Sequence, residues 1–270
     1  LIYRRQNKYS LAESFYQRAL AIEEKLLGAN HPRSATTLNN LAVLYQEEGQ
    51  YSLAESLYQR ALAIREGALE PGDPELAQSF NNLASLYQDQ AKYQQAEPLL
   101  KRAVAICEQS LGPEHPDVAM CLNNLAQLYQ AQASYQEAEI LYRRALTINE
   151  RVFGPDSFNT AAQLNNLASL YRIQENYPEA ETLYQRSLTI YERTLGLEHR
   201  DTATALNNLG KLYLVQGDYQ AAESLLQRAI AIYEQALGPD HPSTARSLSN
   251  LAELYTQQNM QEQAERLYQR

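Results

Sequence analysis

Four histidines, two cysteines and two recurring columns of charge are the side chains of this 270-residue sequence that could do chemistry. His31, His115, His199 and His241 offer imidazole nitrogens for a metal ion or for proton transfer. All four fall at one place in a repeating pattern, after Leu-Gly and just before the start of a helix. Metal ligands must converge on a single ion, and residues spread one to a copy do not. Asp73 and Ser157 hold the same place in the other two copies, and both are strong helix N-caps. Proline follows in four of the six copies, preformed for the first helical position. The histidine column is therefore expected to cap helices. Cys107 and Cys121 make no disulfide framework and read as small apolar residues suited to a reducing compartment.

Glu13, Glu55, Glu97, Glu139, Glu181, Glu223 and Glu265 recur without exception, as do Arg18, Arg60, Arg102, Arg144, Arg186, Arg228 and Arg270. Catalysis needs asymmetry between copies, and these columns have none. They are expected to tie one repeat to the next, with each glutamate near the positive end of a helix. There is no phosphate-binding loop, no nucleophile beside a base and no metal-ligand cluster, so the chain is read as a non-enzyme with no cofactor. A net charge of −9 leaves no basic footprint for nucleic acid. No apolar run approaches the roughly 18 residues of a membrane span.

The elements that place these side chains follow from a 42-residue period. Leu38-Asn39-Asn40-Leu41-Ala42 returns as Phe80 to Ala84, Leu122 to Ala126, Leu164 to Ala168, Leu206 to Gly210 and Leu248 to Ala252, without insertion or deletion. Such a period means stacked units, none able to bury its apolar face alone. Each unit reads as a first helix from about Pro32 to Gly49 and a second from about Ser52 to Leu69, with apolar residues at helical spacing. Ala42, Ala54 and Ala61 let backbones approach, while leucines and tyrosines fill the gaps. All 20 tyrosines fall into four columns, so they are packing residues rather than a stacking platform for bases. Residues 1–270 are expected to form one continuous array of about six units. Leu1 aligns with Val43 and Arg270 with Arg228, so partial helices are expected at both ends of what reads as a piece of a longer protein.

Leu38-x-x-Leu41-Ala42-x-x-Tyr45 followed by Ala54, Tyr58 and Ala61 resembles the tetratricopeptide repeat. The stretched unit, with its Leu-Gly-x-x-His-Pro loop, is similar to the repeats of kinesin light chains over the whole sequence. That resemblance implies an all-α fold, a right-handed α-solenoid of tandem helix-turn-helix repeats. It also implies a cytoplasmic adaptor whose concave groove takes short acidic peptides carrying a tryptophan. Association with a kinesin heavy chain would run through regions outside this sequence. Similar arrays occur in bacterial signalling proteins with no motor, so a structural or self-associating array is the alternative.

A helical wheel places Asn39, Asn40, Val43 and Glu47 on one side of the first helix, opposite Leu38, Leu41, Ala42 and Tyr45. The asparagine columns, Asn81, Asn123, Asn165 and Asn207 with Asn40, Asn82, Asn124, Asn166 and Asn208, are expected to border the groove. An amide side chain both donates and accepts, which suits the backbone of an extended peptide or a tie between neighbouring helices. Specificity should come from the columns that vary. Arg172, Lys211 and Arg246 are expected at the rim of an apolar floor made by Ile173, Leu214 and Val215, where other copies carry mostly Gln, Glu or Asp.

Overall fold

The computed structural model describes residues 9–270, so the partial helix expected at the amino-terminal end lies outside the described residues. The chain divides into two compact units, Leu1–Leu141 and Tyr142–Arg270. The first contains α1 (Tyr9–Leu27), α2 (Pro32–Glu47), α3 (Tyr51–Ala68), α4 (Pro74–Asp89), α5 (Tyr93–Leu111) and α6 (Pro116–Ala131). The division falls within α7 (Tyr135–Phe153). The second contains α8 (Phe158–Ile173), α9 (Tyr177–Leu195), α10 (Arg200–Gln216), α11 (Tyr219–Leu237), α12 (Pro242–Gln257) and α13 (Gln261–Tyr268). Among the described residues there is no strand.

Within each unit the helices pair as hairpins, α2 with α3 and α4 with α5 in the first, α8 with α9 and α10 with α11 in the second. Each second helix then packs on the first helix of the following hairpin. The alanine columns lie at these contacts, with Ala42, Ala84, Ala96 and Ala180 wholly buried. Leucines fill the spaces between them, as Leu38 does against Ala61 and Ile64. Full burial of one such side chain contributes roughly 1.5–3 kcal/mol. The shape of the backbone makes the rest of the hairpin: Gly49, Ala91, Glu175 and Gly217 all take positive φ just after a first helix. There the Gln50 N–H closes back on the Tyr45 carbonyl at 2.8 Å, ending the helix and turning the chain.

The histidines cap, as their column implied. Nδ1 of His31, His115, His199 and His241 accepts the backbone N–H two residues on, at 3.1–3.2 Å. Asp73 does the same for Glu75 at 2.8 Å, and Ser157 accepts from Thr160 at 3.2 Å. Since a carboxylate reproduces that bond and a methyl group does not, His199→Asp is expected to preserve stability, whereas His199→Ala costs about 0.5–2 kcal/mol. Urea unfolding of the two variants checks this, and equal midpoints would remove the cap.

The invariant charges also tie hairpins together. In the first unit Tyr45 Oη donates to Glu13 Oε1 at 2.6 Å, and Gln17 Nε2 donates to the same oxygen at 2.8 Å. Tyr87 and Glu55 repeat this at 3.0 Å; in the second unit so do Tyr213 with Glu181 and Tyr255 with Glu223. Arginines of the other column reach a glutamate one hairpin back: Arg60 to Glu24, Arg186 to Glu150 and Arg228 to Glu192, all at 2.7–2.8 Å. These pairs are partly exposed, so each contributes at most about 1 kcal/mol. Their effect is mainly register.

Candidate functional site

The asparagines lie on one face of the first helices, and most of their bonding capacity is spent inside the protein. In the first unit Asn82 Nδ2 donates to Asn39 Oδ1 at 2.9 Å, and Asn124 Nδ2 donates to Asn81 Oδ1 at 3.2 Å. In the second, Asn208 donates to Asn165 at 3.1 Å and Asn250 to Asn207 at 2.9 Å. The second asparagine of each pair thus bonds the first asparagine of the hairpin before it. Asn81 and Asn207 are buried, contrary to their expected place at a groove edge. Asn81 donates to Cys121 Sγ at 3.2 Å, and Asn207 also accepts from Ser247. Asn123 and Asn165 are half-buried, as are Asn40, Asn82, Asn124, Asn166 and Asn208. The face is a ladder, and the half-buried asparagines of both columns show an edge to solvent.

Leu214 requires a correction. It is 2% exposed and packs in the core with Leu226, Leu251 and Leu254. The reason is a paired change. At the places of Leu214 and Leu226 the unit at residues 46–58 carries Gln46 and Tyr58, whose phenol donates to Gln46 Oε1 at 2.9 Å. Arg172 and Ser169 are polar partners of the Tyr184 phenol in the corresponding hairpin, there as donors that lower its pKa against burial. In the α10–α11 hairpin leucine stands at both places and the apolar contact is internal, whereas Leu100, also at the tyrosine place, keeps the polar partner Gln88.

Arg246 is also displaced from its expected rim. It stands eleven repeat positions before the place of Val215, and first helices of successive hairpins share one register through the asparagine bonds. The rise of a helix puts the two about 16 Å apart along the axis. Arg246 lies beside the Tyr233 phenol instead, and lowers its pKa against burial. What remains together at the carboxyl-terminal ends of α8 and α10 is a smaller group. Ile173 and Val215 are 36% and 48% exposed, Arg172 and Lys211 are half-buried, and Lys211 lies one turn before Val215.

Of two pockets, the first falls on the Val43 and Glu47 side of the first helix that the sequence singled out, and only the second was not legible there. In the first unit an open pocket of about 290 Å³ lies on the asparagine side, between Val43, Gln46, Glu47, Tyr58, Ser85 and Asp89. Gln46 Nε2 donates to Asp89 Oδ2 at 2.6 Å across it, so its character is polar and acidic. In the second unit an apolar pocket of about 320 Å³ is lined by Leu146, Leu167, Tyr171, Pro178, Thr182 and Leu183. The guanidinium of Arg143 lies over the Tyr171 ring, 5.7 Å from its centre. Leu167 and Tyr171 hold the places of Leu41 and Tyr45, opposite the asparagines on the wheel. Such pockets form where side chains of three helices meet, which one chain's periodicity does not encode. Among the described residues no group of three His, Cys, Asp or Glu could hold a metal ion, and no helix is long and apolar enough to cross a membrane.

Stacked helical hairpins that present one ladder-lined face define a repeat scaffold, the class of protein that mediates protein–protein interaction. The model of the tetratricopeptide repeat matches residues 1–67, 75–151, 130–193, 159–235 and 201–270, and the chain belongs to that family. The fold is typically a non-catalytic interaction scaffold. Among solved structures it is similar to BtubC (BKLC) from P. vanneervenii, at 28% identity and a TM-score of 0.65, covering 90% of this chain and 94% of that one. A kinesin light chain-type protein of Podosopora anserina with nearly identical TPR-like repeats is 30% identical, with a TM-score of 0.62 over 76% of this chain and 97% of that one. The apo form of RapI shares the fold alone, at 16% identity and a TM-score of 0.70, over 99% of this chain and 92% of that one. The search of curated proteins found no match.

Proposed function

We propose that this chain is a non-enzymatic adaptor of the kinesin light chain type, which holds an extended segment of a partner protein along the asparagine face. The observation that carries this is the group at the ends of α8 and α10. Ile173 and Val215 stand exposed on an otherwise polar face, flanked by Arg172 and Lys211. An aromatic or aliphatic anchor between acidic residues matches that chemistry, since the apolar contact supplies affinity and the cations orient the flanks. The half-buried asparagine amides would bond the peptide backbone. Cytoplasmic residence and a motor subunit bound through other regions belong to the same reading, supported by the light chain-type neighbours. The alternative is a self-associating structural array, favoured by the near-identity of the bonded columns from hairpin to hairpin.

The test is an acidic peptide with one tryptophan and a fluorescent label, titrated at low and moderate salt. Binding is expected to weaken with salt, to fall at least tenfold with Lys211→Glu, and to change little with Glu47→Lys. Tenfold corresponds to about 1.4 kcal/mol, a fair magnitude for a partly exposed charge meeting a carboxylate. Equal losses from both substitutions would sink the assignment, and a mass that rises with concentration without peptide would favour the array.

A further inference from the structure

The two cysteines of this chain, its only ones, are in contact. Cys107 lies on α5 and Cys121 on α6, 14 residues apart, with their sulfurs at 3.3 Å. Neither is a surface thiol, at 2% and 0% exposure. An open pocket of about 300 Å³ nevertheless reaches them, lined by Gln78, Asn81, Asp117 and Met120 as well as both cysteines.

Packing does not call for sulfur at this place. Every junction between a second helix and the next first helix has the same two positions, and the others carry Glu23 and Thr37, Arg65 and Ser79, Asn149 and Gln163, Tyr191 and Ala205, or Tyr233 and Ser247. Arg65 Nη1 donates to Ser79 Oγ at 2.7 Å, which shows that the two positions face each other. Only one junction matches thiol to thiol.

We infer that Cys107 and Cys121 form an oxidisable dithiol, a site that reacts with small disulfides or peroxides and closes an intrachain disulfide between α5 and α6. The geometry assigns the roles. Cys121 Sγ faces two hydrogen-bond donors, Asn81 Nδ2 at 3.2 Å and the Cys107 thiol, and these favour its thiolate. Cys107 is pushed the other way by Cys121 and by burial, and stays protonated. Cys121 is then the attacking sulfur. Its thiolate displaces one thiolate from a disulfide RSSR, leaving Cys121 bound to SR. Cys107 gives up its proton, and its sulfur attacks Cys121 Sγ and expels the second thiolate. Two thiols lose two electrons, RSSR gains them, and the two protons end on two RSH. With a peroxide, Cys121 passes through a sulfenic acid and Cys107 releases water. In a reducing compartment the pair rests as thiols and closes only transiently.

Closure would withdraw the sulfur that accepts from Asn81, whose carbonyl oxygen also holds Asn124. The oxidised bond would thus be felt in the asparagine ladder. By constraining the unfolded chain it should also raise the thermal midpoint by several degrees.

The experiment uses the full chain, reduced, desalted and incubated with oxidised glutathione or with hydrogen peroxide. Expected are loss of both titratable thiols, an intact mass lighter by two hydrogens, a non-reducing peptide map joining the Cys107 and Cys121 fragments, and a raised midpoint that dithiothreitol reverses. Cys107→Ser should retain one glutathione on Cys121, with circular dichroism confirming that the variant is folded. Thiols that stay untouched in the folded chain over a time in which they react in urea would overturn the proposal. So would disulfides between chains, or a Cys107→Ser protein that is folded and takes up no glutathione.

Discussion

Raising the pH from 9 to 12 is expected to unfold this protein cooperatively, although neutral solution and moderate alkali leave it intact. Tyr142, Tyr184, Tyr191 and Tyr233 are buried to within 5% of complete, and burial pushes each phenol above its ordinary value of 10.0. Asp201 adds to the effect at Tyr191 and Tyr233. Tyr45, Tyr87, Tyr213 and Tyr255 are raised as well, first by burial and also by the glutamates that accept their hydrogen bonds. A raised pKa in the folded state means that the unfolded chain loses its protons first. Stability is therefore complete below the unfolded value near 10 and is lost as pH climbs toward the folded values. Each fully buried phenol removes about 1.4 kcal/mol for every pH unit in that window, so the four together remove about 5 kcal/mol per unit. That is comparable with the whole stability of many domains. The last part of the tyrosinate absorbance should rise together with the loss of helicity, and Tyr184→Phe should move the midpoint upward. Tyrosinate absorbance that reaches completion with helicity unchanged would refute the account.

The second large effect is expected at Arg65. Its side chain is 4% exposed, donates to Ser79 Oγ at 2.7 Å and to the Glu75 carbonyl at 3.2 Å, and lies 3.5 Å from the Glu75 carboxylate. Burial lowers its pKa against the pull of Glu75 and Asp73, so the charge is held at a cost. Ser79→Val removes the shortest of these bonds without freeing the guanidinium to reach water. A loss of about 2–4 kcal/mol is expected, the penalty of an under-bonded buried charge. Replacing the pair with its counterpart from another junction, Arg65→Tyr with Ser79→Ala, should recover most of it, because the charge and its partner leave together. A double-mutant cycle in urea measures this, and additive losses would show that the two positions do not interact.

These junction positions show how far a single sequence can be read. The period, the helix ends and the caps are local properties, and so they were legible. His199 caps because of where it stands beside Asp201, and Gly49 turns the chain because of its own φ. Identity from copy to copy marked the glutamate and arginine columns as ties between repeats, and the bonds from Tyr45 to Glu13 and from Arg60 to Glu24 are such ties. The columns that vary were harder. Leu214 read as an exposed anomaly because the wheel places it near the open face, while its explanation lies twelve residues away in Leu226.

By itself, then, the sequence determined the hairpins and their repetition, since 3.6-residue spacing, capping residues and invariant columns act within a few residues or identically in every copy. Only the tertiary structure decided which asparagines are buried, where Arg246 stands and that Cys107 meets Cys121. Those contacts join residues 14 to 43 positions apart. They depend on the rotation and axial offset with which one hairpin packs against the next, quantities set by the summed shapes of many side chains and not by any one motif.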